Sequence, residues 1–117
     1  MLVIRQPQLR ALGESKRETF ARAAENLLRE HFPQCAAMTA TELRAFIDYG
    51  VSRAAAYSIA VERDVCKYLN LMAVFGRDFD VERSWAKETL TSAAGPRLRL
   101  NRLYMRGVRA ADAEGAE

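Results

Sequence analysis

The sequence predicts an all-α fold, a single compact bundle of about five helices. Three observations carry that expectation. Apolar residues recur three and four positions apart over most of the chain, the period of a helix with one buried face. Helix start and stop signals fall between these segments: Pro7, the Thr39/Glu42 pair, Gly76 and Pro96. Of 117 residues, 50% are hydrophobic and 28% charged, which is enough apolar mass for one core and far from the polar bias of a disordered chain. Residues 1–110 are expected to form one helical domain and residues 111–117 a flexible acidic tail.

In chain order, Leu2 to Ile4 reads as a short extended piece, although no other segment reads as a partner strand. Pro7 opens a helix, because the first helical position needs no amide donor. Leu9, Leu12, Phe20, Ala23, Ala24, Leu27 and Leu28 then form one stripe, with Gly13 a possible break. Pro33 ends this segment by pushing Phe32 out of helical geometry. Thr39 with Glu42 three residues on is a capping box, and Leu43, Phe46, Ile47, Gly50, Val51, Ala54 and Tyr57 continue at helical spacing. A third helix spans about Val61 to Phe75, so broadly apolar that it is expected at the centre, with Gly76 as a left-handed cap. "RDFDVERS" reads as a polar connection. "SWAKETL" is a short helix with Trp85 and Leu90 inward, and Pro96 opens the last helix. There Leu100, Leu103, Tyr104 and Val108 form one side and Arg99, Arg102, Arg106 and Arg109 another.

The bulk charge excludes little. A net charge of +3 permits an acidic partner without demanding one. Its distribution is more informative: Arg97, Arg99, Arg102, Arg106 and Arg109 occur with no acid among them, followed by Asp112, Glu114 and Glu117. Cys35 and Cys66 lie far apart with no CxxC or Cys/His pairing, which argues against a zinc site and a disulfide framework. "MLVIRQPQL" is too short an apolar start for a signal-peptide core, and no apolar run reaches the length of a membrane span. The chain is expected to be cytoplasmic.

The stretch "YGVSRAAAYSIA", Tyr49 to Ala60, has the look of a helix-turn-helix segment. Gly50, Val51 and Ser52 suit the turn. Phe46, four residues before the glycine, stands where the two helices of such a motif approach closely and a small residue belongs. Of the side chains that follow, only Arg53 is a common base reader. The competing reading is one helix from Thr41 to about Ser58, with Gly50 permitting close helix–helix contact. A DNA-binding regulator using residues 41–60 is therefore the alternative function.

The arginines at 99, 102, 106 and 109 share one helical face. Such a face grips phosphates, acidic lipid or an acidic protein patch, or it is merely solvated. No aromatic residues are interleaved with them as in a single-strand binder, so nucleic acid is the weaker expectation. Asp78, Asp80 and Glu82 alternate like the start of a calcium loop, but Arg83 and Thr89 stand where its glycine and glutamate belong. His31 is the sole histidine, and no nucleophile–base pair or phosphate-cradling glycine loop accompanies it. No enzyme, metal or cofactor is expected.

One resemblance bears on function. "FIDYGVSRAAAYSIAVERDVCKYLNLMAVFGRDFD", with the opening "MLVIR" and Trp85, resembles small helical accessory proteins encoded with bacterial type VI secretion spike and effector genes. Tyr49-Gly50, Arg53, Tyr57, Glu62-Arg63-Asp64-Val65, Tyr68, Met72, Gly76 and Phe79-Asp80 carry it, over the chain up to about residue 90. The resemblance implies an adaptor or chaperone for an effector, or its immunity partner. Tyr49, Arg53 and Tyr57, at i, i+4 and i+8, then either order the Glu62–Asp64 run by hydrogen bonds or stand exposed for a partner. The expected function is non-enzymatic protein binding to an effector or spike component, with Arg99, Arg102, Arg106 and Arg109 as the contact face and Tyr49, Arg53 and Tyr57 second.

Overall fold

A computed structural model of the protein describes residues 13–115. Over them the chain forms α1 (Glu14–His31), α2 (Pro33–Ala36), α3 (Ala40–Ala56), α4 (Glu62–Phe75), α5 (Phe79–Glu82), α6 (Ser84–Leu90) and α7 (Pro96–Gly115). The all-α class stands. Among the described residues the helices number seven rather than about five, because α2 and α5 are single turns in stretches that read as connections. Expectations for Leu2–Ile4, Pro7, Leu9 and Leu12 lie outside the described residues.

Helix α1 buries Phe20, Ala21, Ala24 and Leu28. Ala23 and Leu27 of the expected stripe are exposed, so the buried face is narrower than the pattern implied. Phe32 is extended, as a residue before proline must be, and ends the helix. Arg29 Nη1 then donates to the carbonyl oxygens of Ala36 at 3.3 Å and Met38 at 3.0 Å, closing the short α2 against α1. Arg44 of α3 reaches back to α1, with Nη1 to Glu18 at 2.8 Å and Nε to Glu25 at 2.8 Å.

The capping box of α3 is formed on both sides. Glu42 N–H donates to Thr39 Oγ1 at 3.1 Å and Thr39 N–H to Glu42 Oε1 at 2.8 Å. The helix then runs through Gly50 without a turn. Gly50 is buried against α4, where a Cβ would lie 2.3 Å from Leu69 Cδ2 and 2.7 Å from Met72 Sδ. That closeness is what lets the α3 and α4 backbones approach.

Helix α4 is central and touches α1, α3, α5 and α7. It buries Val65, Tyr68, Leu69, Leu71, Met72, Ala73 and Phe75. Gly76 ends it at φ 105° and ψ 159°. The expected left-handed cap is thus replaced by another conformation open to glycine, with positive φ and extended ψ. The next turn, α5, drops Phe79 and Asp80 into the interior, both at 0% exposure. Two side chains of the supposed polar connection are therefore core. Phe79 packs on Tyr68 with ring centroids 5.1 Å apart, and Trp85 of α6 meets Phe75 edge-on at 5.1 Å. Helix α7 closes the bundle with Leu100 and Leu103. It continues helically to Gly115, and Glu114, in the stretch read as a tail, pairs with Arg83.

Candidate functional site

Two groups of polar side chains were singled out by the sequence, and the fold treats them differently. The first lies where α3 meets α5. Tyr49 and Arg53 from α3, and Tyr57 from its C-cap, project one turn apart toward the chain after Gly76. Tyr49 O–H donates to Asp78 Oδ1, and the Arg77 guanidinium lies over the Tyr49 ring, 4.0 Å from its centroid. Arg53 donates to Asp80 Oδ2 through Nε at 3.0 Å and also through Nη2. Tyr57 O–H donates to the same oxygen at 2.8 Å.

Asp80 is fully buried, so its charge needs these donors. Burial first, and the bond to Asp80 second, push the Tyr57 phenol up to about 12. The bond to Asp78 pushes Tyr49 up as well. Tyr68 is raised chiefly by burial, with the Asp80 charge adding to it. Among the described residues no hydrogen bond joins Tyr49, Arg53 or Tyr57 to the Glu62–Asp64 run. The trio is instead bonded to Asp78 and Asp80, so the polar ends of these half-buried side chains are engaged within the molecule. Arg53, the one base reader of the alternative reading, is tied up in that engagement, and the turn that reading places at Gly50 is absent from the continuous α3.

The second group is the arginine face of α7. It separates into two rows. Arg99 turns into the fold, with Nη1 donating to the Leu90 carbonyl at 2.7 Å and Nη2 to the Tyr57 carbonyl at 2.8 Å. It satisfies the last carbonyls of α3 and α6, which have no partner within their own helices. Arg106 likewise faces α6, donating to Thr89 Oγ1 at 2.9 Å and lying 3.3 Å from Glu88 Oε1. Arg102 and Arg109 are exposed and make no ion pair among the described residues. The four arginines expected to share one contact face thus divide: Arg99 and Arg106 bond within the fold, and Arg102 and Arg109 are exposed.

The exposed pair borders a groove of about 510 Å³ between α6 and α7, lined also by Glu88, Thr89, Ser92, Asn101, Met105 and Arg106. Met105 is 56% exposed. Sequence reasoning missed this part of the site, and it grouped Val108 on one side with Leu100 and Leu103, whereas those two are buried and Val108 is 45% exposed. The usable signal was the spacing of Leu98, Met105 and Val108, which puts them on the side of α7 opposite Leu100 and Leu103.

The described residues contain no group of three or more His, Cys, Asp or Glu placed to hold a metal ion, and no helix long and apolar enough to cross a membrane. Compared with known proteins, the chain matches no family model, no curated protein and no solved structure.

Proposed function

We propose that the protein is a non-enzymatic, cytoplasmic accessory that works by binding another protein, an effector or spike component of a type VI secretion system, as adaptor, chaperone or immunity-type partner. The link to secretion rests on the resemblance carried by Tyr49 to Asp80. The binding role is supported by one observation above the others: Arg102 and Arg109 stand unpaired, among the described residues, beside the half-exposed Met105 on a groove between two helices. Interface centres are rich in arginine and methionine, and an acidic patch is the natural counterpart of such a pair. The same arginines on nucleic-acid phosphates are the competing function.

A tagged pull-down from the native host, nuclease-treated and washed over a salt series, tests the reading. It is expected to retain one stoichiometric protein, encoded beside spike or effector genes, at high salt. Phosphate binding weakens steeply with salt. Loss of every protein, with DNA recovered at low salt when nuclease is omitted, overturns the reading in favour of the DNA-binding regulator.

A further inference from the structure

Helix α7 is apolar on two opposite sides. Its inner side carries Leu100 and Leu103, at 0% exposure, and the buried Gly107, where a Cβ would come within 2.5 Å of Leu71 Cδ2. Steps of about 100° per residue bring Leu98, Met105 and Val108 together on the far side. They are 46%, 56% and 45% exposed. Intervals of seven and three residues are those of the a and d seam along which one helix packs on another. Single exposed apolar residues need no explanation. Three in register on one helix form a stripe fit for a second helix.

The charge along its borders decides which helix. Between Pro96 and Ala111 the chain carries five arginines and no acid. Arg99 and Arg106 are turned into α6, which leaves Arg102 and Arg109 along the α6 side of the stripe and Arg97 exposed toward the other. A second copy of α7 laid on the stripe in parallel sets Arg97 of each copy against Arg102 of the other. Laid antiparallel, with Leu98 over Val108, it brings the Arg102 side chains of the two copies together on one flank. Either arrangement confronts like charges. The complementary occupant has apolar residues at the same spacing and carboxylates along its flanks.

We propose that the outer face of α7 docks an acidic amphipathic helix of a partner protein, its apolar side on Leu98, Met105 and Val108 and its carboxylates on Arg102 and Arg109. This rests on the protein-binding reading and assigns it a surface and a partner chemistry. Arg106 belongs to the same groove, but its bonds to α6 hold it back as the groove wall.

The probe is a synthetic, fluorescein-labelled peptide of about three heptads, leucine at a and d and glutamate on the flanks. It is titrated against the full chain by fluorescence anisotropy, and the contact is mapped by amide chemical shifts. The acidic peptide is expected to shift amides of α6 and α7. A lysine-flanked version, and a scrambled peptide of equal composition, are expected to bind at least about tenfold more weakly. Arg102→Glu with Arg109→Glu, and separately Met105→Asp, should each weaken the acidic peptide about tenfold, with unchanged thermal midpoints.

Equal binding of the scrambled peptide overturns the proposal, as do shifts confined to other helices. Displacement of the acidic peptide by duplex DNA at the same amides overturns it in favour of phosphate contact. A dimer of the wild-type chain that Met105→Asp dissolves overturns it in favour of a second copy. In the pull-down, a partner retained equally by wild type, Met105→Asp and the double arginine variant refutes this surface while leaving the protein-binding reading intact. If wild type retains no partner at all, that reading falls first.

Discussion

Arg99 and Arg102 sit three residues apart on one helix and do unlike work. Arg99 is held by two carbonyl oxygens at the ends of α3 and α6, so truncating it strips partners from both. Charged hydrogen bonds of this kind contribute about 1.5–3 kcal/mol, and Arg99→Ala is expected to cost that much in urea unfolding. Arg102→Ala, on an open surface, is expected to stay within about 0.5 kcal/mol of wild type. Equal costs would mean that the arginine face is not divided as described. The same contrast separates Phe79 and Asp80, buried and held, from Val81 and Glu82 beside them, which face solvent.

Helix α3 is defined as much by its end as by its start. Its last residue precedes Tyr57 and Ser58, and Ser58 takes φ 65°, the one positive φ at a non-glycine residue among those described. Ile59 N–H donates to the Ala54 carbonyl at 2.8 Å and Ser58 N–H to that of Ala55 at 2.9 Å, the paired bonds of a Schellman cap. Glycine usually fills the Ser58 place, because an L side chain there costs roughly 1–2 kcal/mol. Ile59, buried at 2% exposure, supplies the apolar contact that holds the cap. Ser58→Gly is expected to raise stability by about 0.5–1 kcal/mol, the relieved strain exceeding the added freedom of the unfolded chain. A fall in the thermal midpoint would show that the serine side chain contributes more than its backbone costs. The alternative reading gave Ser58 to a DNA-reading helix; in the fold it is the residue on which α3 stops.

At the scale of the whole molecule, the buried polar cluster ties stability to alkaline pH. The Tyr57 phenol is pushed up to about 12, so the folded state keeps a proton that the unfolded chain releases near its ordinary value of 10.0. Stability from this group is therefore complete below about pH 10 and is lost as pH rises toward 12. Tyr49 and Tyr68 shift in the same direction, through the Asp78 bond and through burial. Cys35 and Cys66, raised by burial, add to the fall in any variant. Urea midpoints of the wild-type chain are expected to drop between about pH 10 and pH 12. Tyr57→Phe should be less stable at neutral pH, having lost its bond to Asp80, and should show a shallower alkaline slope. An unchanged slope would remove Tyr57 from the linkage.

The helical class and the local punctuation follow from the order of residues alone. The capping box at Thr39, the stop before Pro33, the starts at Ser84 and Pro96 and the end at Phe75 were all legible, because each depends on groups within a turn of one another. Tertiary structure decided where long polar side chains point. Arg99 finds the Tyr57 carbonyl 42 residues away, and Arg53 finds Asp80 27 residues away. No periodicity along one helix encodes such a partner. The same holds for α5, a single turn too short for a helical pattern, whose Phe79 and Asp80 go inward because α3 and α4 offer them a ring to pack on and donors to meet. Local chemistry set the elements; packing between distant segments chose which charges would serve the fold and which were left facing solvent.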